Sequence, residues 1–406
     1  MKQNMPRPTS TVITGYGCLT ALGNDSESTW ERLLAGESAR APITAIAVEG
    51  CRVVHGAQAT LPDIPDCTAK NLSRYSRSSR LMIPAVGEAL RCAGLLDERG
   101  KAVIKTLESS ISTTTCGMEM GQSFLHSVWK GNKRGRYSLL SHYQAQQQIA
   151  EMQRYYGFTG PSTVIANACA SGGNCIGHAA DLIRAGMAEI VLAGGYEALC
   201  ELVYCGFDSL LTLAPEACRP FDRKRNGLML GEGAAFIVLE SEQHALKRGA
   251  SIFGRVAGYG HSTDRGHLTQ PDQEGRPLEL AINQALLRSG IPASEIGYVN
   301  AHGTATPFND GAEAKTFKRI FGGGNTRLSS TKAALGHTLG AAGAIEVVVS
   351  LLALRSGRVP PQINLLDPEP DVADALARMG ETFTASAVLS VNLGFGGSNA
   401  ALVISR

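Results

Sequence analysis

Two stretches with the same close, TVITGYG at residues 11–17 and IFGRVAGYG at residues 252–260, decide how the fold is read. Each is an apolar, strand-like run that stops in Gly-Tyr-Gly. A second pair follows in the same order, GEGAAFIVL at 231–239 and GSNAALVI at 397–404, a glycine turn feeding a strand of small and then larger apolar residues. One echo is weak evidence. Two in matching order predict a duplicated α/β unit, with a first half over 1–250 and a second over 251–406. Gly15 to Gly231 spans 216 positions and Gly258 to Gly397 spans 139, so the first half is longer by about 77 residues. The stretch rich in Arg, Tyr and Gln between about 73 and 158 is expected to hold most of the excess, as a cap, a substrate tunnel or a contact surface for another chain. Segment 79–95 reads as an amphipathic helix, and the Ala- and Gly-rich segments 170–186 and 340–355 read as helices buried between sheets.

With 406 residues, 44% hydrophobic and 18% charged, the chain has the composition of a soluble globular protein. A net charge of +2 argues against a global pull toward nucleic acid. None of the ten cysteines forms Cys-x-x-Cys, and the closest pairs, 169/175 and 200/205, lack histidines at ligand spacing, so no metal site is expected. No apolar run reaches the ~20 residues of a membrane helix. The nearest, 344–354, contains Glu346. Residues 1–11 carry no apolar signal core, and free thiols in a reducing cytoplasm are the expectation.

The chemistry-bearing candidates sit where strands run out. In TVIANACASGG (163–173) an apolar run ends in small residues around Cys169, and an Ala-rich helix follows. A thiol at a helix start is expected to have a lowered pKa, although a buried structural cysteine is the competing reading. His302 lies in VNAHGTATP (299–307), at a strand end between hydroxyl-bearing neighbours Thr304 and Thr306. His337, in SSTKAALGHTLGAAG (329–343), stands at another helix start, where the dipole favours the neutral ring. Cys169 lies 62 residues before the closing echo of its half and His337 lies 60 before its own, which predicts that the two are pseudo-equivalent. The glycine-rich turn in VNLGFGGSN (391–399) offers backbone N–H groups to an oxyanion or to a phosphate. Neither a P-loop nor a dinucleotide fingerprint is present, which disfavours nucleotide binding.

Taken together, NACASG (167–172), NAHGTATP (300–307), TKAALGH (331–337), GFGGSN (394–399), RPFD (219–222) and GEGA (231–234) resemble the elongating β-ketoacyl-[acyl carrier protein] synthases over nearly the whole chain. The Cys-His-His set separates the chain from initiating synthases, where the second His is Asn, and from thiolases, which pair one His with a second Cys. The resemblance implies a thiolase fold, two βαβαβαββ halves in five layers (αβαβα). It also implies a decarboxylative Claisen condensation of an acyl group on Cys169 with malonyl-[acyl carrier protein]. His302 and His337 then assist the enolate, the N–H groups of Cys169 and Phe395 hold the thioester carbonyl, and Phe395 gates the acyl pocket. Lys332 organises the site together with Glu313, and Thr304 and Thr306 contact phosphopantetheine, which arrives on the carrier protein; no cofactor of the enzyme's own and no metal are implied. The partners implied are acyl carrier protein and a second subunit, in a homodimer or in a heterodimer with a paralogous ketosynthase-like chain.

Where common fatty-acid synthases carry a Gly-rich stretch, this chain has TCGMEMGQ (115–122). Met118 is therefore expected as an acyl-pocket residue, and Leu139, aligned by its distance before Cys169, as a replacement for a bulkier residue reaching in from the partner subunit; the altered preference points to a specialised polyene or polyketide pathway. Two basic clusters, Lys70/Arg74/Arg77/Arg80 and Lys130/Lys133/Arg134/Arg136, are candidates for docking an acidic carrier protein, with Arg74, Arg77, Lys133 and Arg134 foremost. Two rivals stay open: a thioester hydrolase, which needs no malonyl donor, and the catalytic half of a ketosynthase/chain-length-factor pair.

Overall fold

The computed structural model describes residues 10–64, 75–131 and 137–406. Among them the first half contributes strands β1 (Thr11–Thr20), β2 (Glu108–Ser112), β3 (Ser162–Ile165), β4 (Ile190–Glu197) and β5 (Gly233–Ser241). The second contributes β6 (Gly254–Thr263), β7 (Ile296–Asn300), β8 (Arg327–Ser329), β9 (Ala387–Leu393) and β10 (Ser398–Ser405). The helices of eight residues or more are α1 (Ser26–Leu34), α2 (Arg77–Cys92), α3 (Met118–Trp129), α4 (Ala145–Tyr156), α5 (Ser171–Arg184), α6 (Glu201–Ser209), α7 (Arg276–Ser289), α8 (Pro307–Phe321) and α9 (Ala342–Ser356).

The strand order β3-β2-β4-β5-β1 in one half repeats as β8-β7-β9-β10-β6 in the other. Each half runs β-α-β-α-β-α-β-β, with α2, α4 and α5 matched by α7, α8 and α9. This is the expected thiolase fold. The two sheets are not fully separate: β1 and β6 pair antiparallel through Val12 with Arg255 and Ile13 with Gly254. Apolar packing fills the spaces between layers. Ile176, Ala179, Val347 and Leu351 belong to the central core, Leu81, Val86 and Phe236 to the outer core of the first half, and Ile282, Ala285 and Val403 to that of the second.

The Gly-Tyr-Gly echo now has a physical cause. A Cβ on Gly15 would lie 2.3 Å from Ala89 O, and one on Gly17 2.5 Å from Ala85 O, both on α2. On the other side, Gly258 and Gly260 would each put a Cβ 2.0 Å from a carbonyl of α7, that of Ala285 or Ala281. In both halves the outer helix rests directly on the strand backbone, a closeness only glycine permits.

The excess of the first half is distributed differently from the expectation. Within 73–158, α2, β2 and α4 belong to the repeated unit, since each has a mate in the second half. The additions lie at 21–76, which includes α1, at 113–144 with α3, and at 198–232 with α6. Leu339–Ser356 is long and apolar enough to cross a membrane, with mean hydropathy 1.6, yet 83% of it is buried inside the fold. Its apolarity is that of a helix packed on all sides between sheets.

The central helices position everything that follows. A Cβ on Gly172 would lie 2.6 Å from Ala344 N, and one on Gly343 2.4 Å from Gly173 N, so α5 and α9 begin in backbone contact. The turns that precede them are thereby held side by side.

Candidate active site

After β3 the chain makes one 3-10 turn, Ala168–Ala170, before α5 starts. Ala168 sits at φ 56, a left-handed conformation that costs a residue with a Cβ about 1–2 kcal/mol. Ser171 Oγ holds the turn, accepting from Asn167 N–H at 2.8 Å and donating to Ala168 O at 2.5 Å. The sharp turn aims Cys169 into a cavity of about 390 Å³ that His302, His337, Thr304, Thr306 and Phe395 also line.

The expected lowering of the Cys169 pKa is reversed. Burial pushes the thiol up to about 12, against the opposing pull of the Lys332 ammonium and a hydrogen bond from Phe395 N–H. A helix start favours thiolate, but desolvation of the buried sulfur outweighs it. Because only the thiolate is alkylated, the sign is clear: iodoacetamide modification of Cys169 should rise ~10-fold per pH unit from about pH 7 to about pH 9, with no plateau near the ordinary cysteine value of ~8.5. A plateau below pH 9, read by peptide mass mapping, would refute the raised value.

The pseudo-equivalence of Cys169 and His337 is corrected as well. The turn matching Ala168–Ala170 is Leu339–Ala341, and Leu339 at φ 45 mirrors Ala168. Gly340 is therefore the mate of Cys169, and His337 stands three residues ahead of it. A Cβ on Gly340 would fall 2.6 Å from Thr114 N and 2.8 Å from Glu197 Oε2, while its own N–H donates to that carboxylate at 2.8 Å.

His337 is anchored by its backbone, N–H to Met229 O at 2.6 Å and C=O from Gly231 N–H at 3.0 Å. Its ring Nδ1 accepts Leu339 N–H at 3.3 Å, so the neutral ring carries its proton on Nε2. His302 N–H and Gly303 N–H each donate to Glu313 at 2.7 Å, which fixes the loop leaving β7. The ring centroids of His302 and His337 lie 5.3 Å apart at 86°. Burial first, and then the Lys332 charge, hold both imidazoles well below the usual histidine range, so both are neutral.

Lys332 pairs with Glu346 of α9 rather than with Glu313. Glu346 also accepts from Asn392 Nδ2 at 2.5 Å, and all three side chains are buried. Glu313 is committed instead to the His302 loop and to Asn309 Nδ2 at 2.7 Å, and burial together with Asp310 pushes it up to about 8.

Phe395 stacks on Phe207 of α6, centroids 5.8 Å apart and planes 20° from parallel. Phe207 lies in a first-half addition with no mate in the second half, so no repeat could have flagged it. Thr304 and Thr306 share a hydroxyl contact of 2.9 Å at the cavity wall. Met118 does not line this cavity; its sulfur rests 3.6 Å from Cys200 Sγ. Nor does half-buried Leu139. Arg77 is no free docking cation, since it forms an ion pair with fully buried Glu232 and donates to Ala59 O at 2.8 Å. Arg74, Lys133 and Arg134 lie outside the described residues.

The sequence matches two family models in succession, Beta-ketoacyl synthase, N-terminal domain, over residues 9–245 and Beta-ketoacyl synthase, C-terminal domain, over residues 253–366. It is 36% identical to Nodulation protein E of Rhizobium sp. (strain N33), covering 97% of this chain and 98% of that one. It is 35% identical to 3-oxoacyl-[acyl-carrier-protein] synthase 2 of Vibrio cholerae, with the same coverage. The solved structure "The ishigamide ketosynthase/chain length factor" superposes with a TM-score of 0.89 at 29% identity, over 98% of this chain and 99% of that one. The two family matches fall on the two halves that the strand order repeats, and the relatives run end to end with the chain, which therefore belongs to the β-ketoacyl synthase family of thiolase-fold condensing acyltransferases.

Proposed function

We propose that the site joins an acyl group held on Cys169 to the two-carbon unit of a malonyl-[acyl carrier protein]. The observation that carries this reading is the pair of neutral, buried imidazoles facing the same cavity as a buried thiol. In the first step Cys169 sulfur attacks the acyl thioester, and its proton leaves with the departing phosphopantetheine thiol. With the thiol pushed up to about 12, proton loss accompanies attack rather than preceding it. The malonyl thioester then loses carbon dioxide, and the electrons of the broken C–C bond form an enolate. Its oxygen gains charge where His337 Nε2–H and His302 donate. The enolate carbon attacks the Cys169 thioester, whose oxygen is held by the N–H groups of Cys169 and Phe395, and collapse releases the cysteine sulfur, which takes up a proton from water to restore the thiol. Burial first, and the Lys332 charge after it, keep both imidazoles neutral, so each donates a hydrogen bond without carrying charge of its own. Gly394 keeps the oxyanion donors open, because a Cβ there would come within 3.2 Å of Cys169 N.

Thr304 and Thr306 are proposed to contact the phosphopantetheine arm. The loop that carries them is tied by Arg225, which donates to Thr306 O at 3.2 Å, Pro307 O at 2.9 Å and Glu369 at 2.9 Å. Arg225→Ala is expected to raise KM for carrier-borne substrate ~10-fold while kcat changes less than about threefold. Equal losses in both, with small thioesters affected alike, would contradict that role.

The partners are proposed to be acyl carrier protein and a second subunit, either a copy of this chain or a paralogous ketosynthase-like chain, as the name of the ishigamide relative describes for that protein. The pathway is fatty-acid or specialised polyene or polyketide synthesis, with the enzyme in the cytoplasm. Incubation with acyl- and then malonyl-[acyl carrier protein] tests the reading: a 3-oxoacyl carrier product supports it, and release of free acid without need of malonyl favours a hydrolase.

A further inference from the structure

Outside the cavity, Cys51 Sγ and Cys205 Sγ lie 3.5 Å apart. Cys205 is exposed on α6, and half-buried Cys51 sits in the loop that crosses it. Among the described residues no other two cysteines are in such contact.

The loop is fastened to α6 just after Cys51, through residues of the helix that flank Cys205. Asp208 accepts Arg52 N–H at 2.7 Å and Val53 N–H at 3.1 Å. Tyr204 OH shares its one proton between Val53 O at 3.1 Å and His55 O at 2.9 Å. The backbones that carry the two sulfurs are thus already held together, and a closure of ~1.5 Å brings the sulfurs to bonding distance. The same helix carries Phe207, whose ring covers Phe395 beside Cys169.

We propose that Cys51 and Cys205 form a reversible disulfide, a redox modification site that pins α6 and fixes Phe207 over Phe395, slowing access to Cys169. The oxidant is a hydroperoxide. Cys205 sulfur attacks the O–O bond, giving a sulfenic acid and releasing the alcohol, or water from hydrogen peroxide. Cys51 sulfur then displaces the hydroxyl from Cys205, which leaves as water with the Cys51 proton. Two thiols lose two electrons in total, and the O–O bond takes them. A reducing dithiol reverses the bond.

The gating consequence rests on the ketosynthase reading, but bond formation does not. The test treats the reduced full-length protein with dilute hydrogen peroxide. Intact mass, proteolysis without reductant and the rate of Cys169 alkylation by iodoacetamide are then read. Expected are loss of two hydrogens, a single Cys51–Cys205 cross-linked peptide, and ~10-fold slower alkylation that dithiothreitol restores. Cys205→Ser and, separately, Cys51→Ser should show neither the cross-link nor the slowing. Absence of the cross-link in the unaltered protein overturns the proposal, as does a cross-link that leaves the Cys169 rate unchanged, or equal slowing in Cys205→Ser. Because alkylation needs no carrier substrate, these outcomes stand even if the condensation reading fails.

Discussion

Cys169→Ala is expected to abolish the acyl-enzyme and to lower condensation at least ~10³-fold, while malonyl decarboxylation persists. Cys169 is the only cysteine among the residues lining the cavity, so no neighbouring thiol can take over the acyl group. The decarboxylating step is proposed to call on His302 and His337, and neither hydrogen-bonds to Cys169: His302 is held through Glu313 and His337 through Met229, Gly231 and Leu339. Carbon dioxide release without 3-oxoacyl product therefore separates a missing nucleophile from a collapsed site. Loss of both activities in a folded variant would argue against this division of labour.

Lys332→Met is expected to have the second largest effect, on stability and rate together. It leaves Glu346 in the interior with only Asn392 as partner, and breaking a buried pair from one side costs about 3–5 kcal/mol. The double variant Lys332→Met/Glu346→Gln should regain most of that stability in chemical denaturation but not the turnover. The pH profile adds a sign. The Lys332 charge pushes both imidazoles down, so its removal lets them protonate at higher pH. Burial, the larger cause, remains, so the acid limb of activity in the single variant should move to higher pH than in the parent while staying below the ordinary histidine value of ~6.5. Restored turnover in the double variant would show that Lys332 serves the fold alone.

The duplication was readable because glycine is irreplaceable where α2 and α7 touch their strands, and that contact recurs at Gly15, Gly17, Gly258 and Gly260. Cys169, His302 and His337 were readable because strand ends in both halves converge where α5 and α9 meet. Other features depended on distances that sequence spacing does not carry. Arg77 looked like part of a solvated basic cluster, yet its partner Glu232 lies 155 positions away. The resemblance assigns Lys332 to Glu313, and the depth of α9 in the central layer gives it Glu346 instead. A helix start, which favours thiolate, is visible in a sequence, whereas the burial that raises the Cys169 pKa is not. The resemblance assigns Met118 and Leu139 to an acyl pocket, and neither lines the Cys169 cavity.

The most direct test of the central claim follows the mass of the intact enzyme through one turnover. With acyl-[acyl carrier protein] alone, the account predicts a single acyl adduct that peptide mapping places on Cys169. Addition of malonyl-[acyl carrier protein] should then discharge the adduct with release of carbon dioxide and appearance of a 3-oxoacyl chain two carbons longer on the carrier. An adduct that forms equally in Cys169→Ala, or that discharges as free acid without malonyl donor, would contradict it.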